Sequence, residues 1–306
     1  MDLRQIESFV RVAELGSFSR AAVALGIAQP LLSRHVRQLE VEHRQTFLLR
    51  NGRGVTLTDA GRVLLEHGKG ILHQVALARE DLGSIRGALA GRVSIGLPPS
   101  LSKLITVPLT HEFRRALPQA QITLTEGFSV LMYEGLRAGR LDLCVLYNPP
   151  PSPDMETAVL HEEALVLVSA GQIASGRAPL SLGNSVTLRQ LSELPLIIPS
   201  RPNAFRLLLE AELTKIGRKP SIVLEIDGLN AILDLVKEGL GYAVLPTYTL
   251  SNFVKPHPLI THEICQPTLM GTLTLVWSAR RPTTETHRGA LDIVTRVIKK
   301  AIAQYG

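Results

Sequence analysis

The chain has few aromatic residues and almost no cysteine. Phe, Tyr and Trp together make up 4% of its 306 residues, too few for a platform that stacks single-stranded bases. Cys144 and Cys265 are the only cysteines. They lie in the strand-like runs LDLCVLY and HEICQP, which predicts buried thiols rather than a disulfide framework. No apolar run reaches the ~18 residues that a spanning helix needs. The first ten residues, MDLRQIESFV, carry neither the charged start nor the apolar core of a secretory leader, so a soluble, cytoplasmic protein without membrane contact is expected. Gly-x-Ser-x-Gly, P-loop, His-Glu-x-x-His and Cys-x-x-Cys motifs are all absent. HEFRR, HEEAL and HEICQ each lack the second histidine of a zinc site, and GLGYAV has two glycines without a third. Catalytic residues, a metal and a bound cofactor are therefore not expected.

What remains is ordinary globular composition, 45% hydrophobic and 20% charged, with a formal net charge of +6. A basic balance suits a polyanionic partner only if the charge is localised. Here it is. Between residues 29 and 57, Arg34, Arg37, Arg44, Arg50 and Arg53 face only Glu40 and Glu42.

Apolar spacing predicts three short helices at the N-terminus. In LRQIESFVRVAEL, Leu3, Ile6, Phe9, Val10 and Ala13 share one face, and Gly16 stops the helix. Ser17 can cap SFSRAAVAL, which Gly26 ends. Gln29-Pro30 opens the third, since proline's missing N–H has no intrahelical partner in a first turn. Leu32, Val36 and Leu39 must pack inward, which leaves Ser33, Arg34 and Arg37 on other faces. Two short helices about a glycine-containing turn form a helix-turn-helix, whose second helix reads the DNA major groove. Asn51-Gly52 between FLLR and VTLT predicts a hairpin, with Arg50 and Arg53 at its tip, readable as a wing on phosphates or a minor groove.

From Thr58 a helical stripe runs for about 30 residues through Ala60, Leu64, Ile71, Val75, Ala78, Leu82, Ile85 and Leu89, interrupted by His67. Such a helix, roughly 45 Å long, suits pairing with its own copy. Gly68, Gly70 and Gly83 weaken it. Beyond Gly91, strand and helix patterns alternate, with LDLCVLY nearly all apolar, which predicts buried parallel strands and α/β folding. The alternation recurs from LPLIIPS to YAVLP, and LTLVWSA with a last helix closes the chain. Two lobes in series suggest a cleft-forming sensor.

The runs LRQIESFVRVAELGSFSRAAVALGIAQPLLSRHVRQLE, LLRNGRGVTLTDAGRVLL and VKEGLGYAVLP, in this order, resemble the LysR-type transcriptional regulators over essentially the whole length. GLPPS, EG and LDLCVLY are further similar to the nitrogen-assimilation-control-like branch. The resemblance implies an α+β multidomain chain. It would hold a winged helix-turn-helix (1–57), a dimerising linker helix (58–89) and a two-lobed, periplasmic-binding-protein-like effector domain (90–306). Lobe I would span about 90–165 and 267–306, and lobe II about 166–266. It also implies a non-enzymatic regulator of transcription, commonly tetrameric, whose partners are double-stranded promoter DNA, RNA polymerase and further copies of itself. One departure stands out: where the family usually has Leu-Gly, this chain has His43-Arg44, which removes the usual left-handed cap glycine.

The candidate DNA-contacting residues are Ser17, Gln29, Pro30, Ser33, Arg34, Arg37, Arg50 and Arg53, with Gln29 and Pro30 positioning the reading helix. Arg34 can grip guanine through two bonds or hold a phosphate, and Arg44 can add a phosphate contact. His35 reads as a surface or packing residue. The effector candidates lie at strand C-terminal ends, where α/β sheets leave clefts: Ser100, Ser102, Gly127, Phe128, Ser129 (expected to cap its helix), Tyr147, Ser200, Arg201, Asn203 and Thr247. Arg201 and the serines suit a small organic anion such as a carboxylate. Two other readings stay open. The N-terminal helices could serve protein contacts in a small-molecule-binding protein or enzyme, or the C-terminal part could be only an oligomerisation scaffold.

Overall fold

The computed structural model describes residues 1–51, 54–84, 90–171, 183–250, 259–280 and 284–304. The chain divides into two compact units, residues 1–88 with 137–140, and residues 89–136 with 141–306.

The first unit begins with α1 (Leu3–Leu15), α2 (Phe18–Leu25) and α3 (Gln29–His43). A capping box starts α1: the Asp2 carboxylate accepts the Gln5 N–H, and the Gln5 side chain accepts the Asp2 N–H. Gly16 and Gly26 end α1 and α2 in the left-handed conformation, and Ser17 caps α2. Proline sits in the first turn of α3 as expected. Phe9, Val12, Ala21, Leu32, Val36, Leu39 and Phe47 fill one core between the three helices. The hairpin pairs β1 (Leu48–Asn51) with β2 (Gly54–Leu57), Asn51 opposite Gly54; residues 52 and 53, between them, lie outside the described residues. The Val55 N–H donates to the Gly16 carbonyl at 3.0 Å, which ties the hairpin to the turn between α1 and α2. Thr58 caps α4 (Asp59–Ser84): its hydroxyl donates to the Thr46 carbonyl at 2.7 Å and accepts the Gly61 N–H at 2.9 Å. At 26 residues this helix is about 39 Å long. The expected continuation to Leu89 lies outside the described residues.

The second unit is built on one sheet, ordered β4 (Gln119–Glu126), β3 (Ala90–Leu97), β5 (Leu143–Tyr147), β12 (Met270–Ser278), β6 (Met155–Ala170), β11 (Leu259–Cys265) and β7 (Ser185–Thr187), with β10 (Ala243–Pro246) also on β6. Separately, β8 (Leu196–Ile198) pairs with β9 (Ile222–Glu225), and a bridge joins Leu196 to Tyr242. The helices are α5 (Pro99–Ala116), α6 (Ser129–Arg137), α7 (Leu188–Leu191), α8 (Ala204–Lys215), α9 (Leu229–Lys237) and α10 (Glu285–Ile302), and a 3₁₀ turn spans Thr247–Thr249.

The expectation of parallel strands needs correcting. β3 is parallel to β4 and β5, but β12 runs antiparallel to β5 and β6, and β6 antiparallel to β10 and β11. The strand β6 causes this: it is a single 16-residue strand that both lobes share. Its first part, to Ala164, pairs with β12 in the first lobe, and from Leu165 it pairs with β10 in the second. Each lobe has its own core, one around Ile95, Leu101, Phe113, Leu143 and Val294, the other around Leu167, Leu188, Leu196, Leu209 and Leu213. Gly241 is glycine because a side chain there would meet Ile197 and the Pro195 carbonyl at 2.8 Å. Packing therefore explains the second glycine of GLGYAV, while the first, Gly239, takes the left-handed conformation at φ 74°. Both cysteines are free, Cys144 buried and Cys265 half-buried. Among the described residues, no helix is long and apolar enough to cross a membrane.

Candidate functional site

In the first unit, the inward face of α3 carries Leu32, Val36 and Leu39, all buried. Pro30, Ser33, Arg34 and Arg37 therefore fall on the opposite side, where they line an open groove of about 520 Å³. Arg34 and Arg37 are exposed, and neither is held by a carboxylate among the described residues. Arg11 and Arg62, by contrast, pair with Glu14 and Asp59. Two uncompensated guanidinium groups one turn apart on a solvent-facing helix are ready for phosphate or a base edge.

His35 turns inward to Ser8, with Nδ1 at 2.8 Å from the hydroxyl, and so acts in packing. The Ser17 hydroxyl accepts the Arg20 N–H at 3.4 Å, and Gln29 accepts from the Ser19 hydroxyl at 3.4 Å. The backbone of Arg50 lies on β1 opposite Val55. Its side chain and all of Arg53 lie outside what is described.

The helix that lacks its cap glycine still ends in the expected way. Arg44 itself takes the left-handed conformation, at φ 51°, and its N–H meets the Glu40 and Val41 carbonyls. The Glu40 carboxylate then accepts the N–H groups of Phe47 and Leu48. A side-chain anchor thus fixes the step from α3 to the hairpin.

In the second unit, two adjoining cavities lie where the lobes meet. The outer, of about 870 Å³, takes in Ser100, Ser102, Lys103, Gly127, Phe128, Asp227, Asn230 and Thr249. The inner is lined mainly by apolar groups, with Ser100, Ser129 and Asn203 among them, and Tyr147 and Phe205 on its wall. These two rings stand 4.5 Å apart, centroid to centroid. Seven of the ten residues expected here line one cavity or the other; Ser200, Arg201 and Thr247 line neither.

Local bonding explains several of these placements. The expected cap role of Ser129 is corrected: Ser129 is the first residue of α6, and its hydroxyl accepts the Tyr147 N–H at 3.0 Å. Asn203 is buried and caps α8, accepting from Phe205 and Arg206. The Ser200 N–H donates to Asp227 at 2.8 Å, and the Thr247 hydroxyl lies 3.5 Å from the Ala164 carbonyl. Arg201 is turned onto Glu210, with which it makes three hydrogen bonds. The buried arginine of this region is its neighbour Arg206. Glu225 first and Glu210 second hold its guanidinium charged, and it also donates to the Pro199 carbonyl.

The positive ends available to a ligand belong to helices. α5 begins after Pro98 and α9 after Gly228, both without a side-chain cap, and both first turns line the outer cavity. Their N–H groups can receive an anion. The Thr249 hydroxyl is buried there with no hydrogen-bond partner among the described residues.

Sequence reasoning missed a buried hydrogen-bonded group beside these cavities. The Tyr147 hydroxyl donates to Glu163 at 2.8 Å and meets the Tyr248 hydroxyl, which lies 3.4 Å from the Ser100 hydroxyl. Burial pushes the Glu163 carboxyl up to about 7, against the opposing pull of the Tyr147 hydroxyl and the Thr247 N–H. Burial also raises both tyrosines, and the Glu163 charge adds to it. Asp227, at the end of β9, obeys the same strand-end rule as the residues that were expected; nothing in the sequence singles out Glu163 or Tyr248.

Residues 3–62 match the bacterial regulatory helix-turn-helix protein, lysR family, and residues 86–299 match the LysR substrate binding domain. The chain is 31% identical over 301 residues to the nitrogen assimilation regulatory protein nac of Klebsiella aerogenes, covering 98% of this chain and 96% of that protein. It is 30% identical over 305 residues to the protein of the same name from Escherichia coli K12, covering 99% and 97%. Among solved structures it resembles CbnR, a LysR family transcriptional regulator, with a TM-score of 0.70 at 22% identity over 98% of this chain and 100% of that one. Full-length CbnR complexed with its target DNA gives 0.68 at 21% identity, covering 97% and 100%.

Proposed function

Because the chain belongs to the LysR family of DNA-binding transcriptional regulators, we propose that α3 reads a specific duplex site through Ser33, Arg34 and Arg37, while the cleft between the lobes holds a small effector. The single observation that carries the DNA-reading half is the pair of uncompensated guanidinium groups on the open face of α3. One exposed apolar residue of the linker supports self-association: Val63 on α4 is 61% exposed, although Leu64, Leu65, Ile71 and Leu72 of the same helix pack on the winged unit. The working form is a dimer paired through α4, or a tetramer made from two such dimers. It acts in the cytoplasm on promoter DNA, in reach of RNA polymerase, and without catalysis of its own.

The effector is a small organic anion, a carboxylate being the simplest. The uncapped starts of α5 and α9, Ser100, Lys103 and the unpartnered Thr249 hydroxyl support this. Arg201, tied to Glu210, is left out of that set. A ligand favouring one lobe arrangement shifts the equilibrium by its differential affinity and no more. The shift reaches DNA as a change in spacing between winged heads.

Selection from a random duplex library tests the reading. The wild-type chain is expected to enrich a dyad-symmetric site, and Arg34→Ala to lose that enrichment while keeping its oligomeric state. Equal enrichment by both would refute the assignment.

A further inference from the structure

Tyr248 lies in the second lobe by sequence, in the 3₁₀ turn after β10, yet its ring is buried in the core of the first lobe with Leu97, Leu101, Tyr147 and Leu160. Its hydroxyl meets that of Tyr147, at the end of β5, and Tyr147 donates to Glu163. Glu163 is 8% exposed. It stands on β6 opposite Gly271, two residues before the strand leaves β12 for β10. Its remaining donor is the Thr247 N–H, from the turn that carries Tyr248. One carboxyl thus gathers groups from both lobes at the crossing point of the strand they share.

Resting on the two-lobed sensor reading above, we propose that Glu163, Tyr147 and Tyr248 form a proton-linked latch: neutral Glu163 holds the lobes together, and its ionisation favours their parting. An ionised carboxylate offers about four acceptor sites, and two donors among the described residues meet it here. Parting the lobes withdraws Tyr248 and Thr247 and admits water, which returns the carboxyl to its ordinary range. The closed arrangement therefore holds a proton that the open one releases, and rising pH favours opening. The buried position raises Glu163 to about 7, so the transition falls near neutrality.

Among the described residues, Glu163 is the one carboxyl bonded to Tyr147. Tyr147 and Tyr248 stay neutral there, since burial raises both. The β12 residues facing it, Met270, Gly271 and Thr272, and all four residues of β10 carry no titratable group. On β6 itself, Glu162 is exposed and points to the other face, and His161 lies two residues away, half-buried. On α8, Arg206 is committed to Glu210 and Glu225. At its far end the latch reaches Ser100, which lines both cavities. A ligand in the cleft would meet it directly.

The test is hydrogen exchange by mass spectrometry on the full-length chain between pH 6 and 8, corrected for intrinsic rates, on peptides covering 97–104 and 243–250. Wild type should open about tenfold more at pH 8 than at pH 6, levelling off above 7. Glu163→Gln should show a flat profile over this range, below the wild-type value even at pH 6. Tyr248→Phe, which keeps the ring and loses the hydroxyl, should open more than wild type already at pH 6. A flat wild-type profile, or a rise that survives in Glu163→Gln, would overturn the latch. Should Glu163→Gln not fold, Tyr248→Phe decides: opening no greater than wild type at pH 6 would also overturn it. Duplex binding measured on the same preparation separates the two readings. A flat profile in a DNA-binding protein sinks the latch alone, and an intact profile without DNA binding sinks the regulator reading alone.

Discussion

The Glu40 carboxylate accepts the backbone N–H of Phe47 at 2.8 Å, and with it that of Leu48 at 3.2 Å. The reading helix is thereby tied to the first strand of the hairpin across a turn that has no glycine. Removing this acceptor strands two N–H groups beside the core residue Phe47. Glu40→Ala should cost the first unit about 2 kcal/mol, read as a lower unfolding temperature by calorimetry, together with weaker duplex binding. Glu40→Gln keeps a carbonyl acceptor and should lose less.

Arg44 occupies the left-handed region at φ 51°, where a side chain crowds its own backbone. Arg44→Gly should relieve that strain and stabilise the unit by up to ~1 kcal/mol, the flexibility of glycine in the unfolded chain taking back part of the gain. A fall in unfolding temperature would show that the Arg44 side chain makes a contact worth more than the strain.

Gly61 leaves no room for a side chain: a β-carbon there would lie 2.1 Å from the Phe47 carbonyl oxygen. Gly61→Ala must push α4 away from the hairpin, at a cost of about 3 kcal/mol. A substitution tolerated without change in stability or duplex binding would contradict the packing described.

Arg34 and Arg37 make different losses if one reads a base and the other a phosphate. Losing a phosphate contact should weaken binding to all duplexes alike and flatten the logarithmic salt dependence by about 1. Losing a base contact should cost about 1–3 kcal/mol at the specific site alone. Arg34→Ala, titrated with salt on a specific and a random duplex, is expected to show the base-contact loss, and Arg37→Ala measured in the same way shows which of the two contacts it makes.

Glu163 gives the protein a pH dependence of defined sign. Its carboxyl is raised from 4.5 to about 7 in the folded chain, so the folded state holds the proton more tightly than the unfolded one. Its contribution to stability is greatest below pH 4.5 and is lost as pH rises through 7. Fully ionised, the group costs about 3 kcal/mol. Glu163→Gln should therefore unfold at a higher temperature than wild type at pH 8, with the difference shrinking toward pH 5. An advantage independent of pH would mean that Glu163 does not titrate in this range.

The winged unit was legible in the sequence because its signals are local. Apolar spacing places Ile6, Phe9, Leu32, Val36 and Leu39 inside, while Gly16, Gly26, Pro30 and the Asn51-Gly52 pair mark the breaks. The strand β6 was not legible. It changes partners from β12 to β10 midway, and its outward-facing half, with His161 and Glu162, shows neither clean alternation nor a continuous apolar run. The effector loops could be found from strand ends, which is why Ser100, Gly127, Phe128 and Ser129 were expected there. Arg201 looked like an anion holder only because Glu210, two turns into the next helix, could not be seen to meet it. Tyr248 lies 101 residues from Tyr147, and no periodicity joins partners so far apart.

The proposed function depends on α3 reading a specific duplex. The most direct test is binding of the full-length protein to the intergenic DNA upstream of its own coding sequence, beside a random duplex, titrated against salt. If α3 reads the site, the upstream fragment is strongly preferred, the footprint falls on successive turns of one helix face, and a specific component outlasts the non-specific one as salt rises. Equal, weak and salt-labile binding to both duplexes, or none, would contradict it.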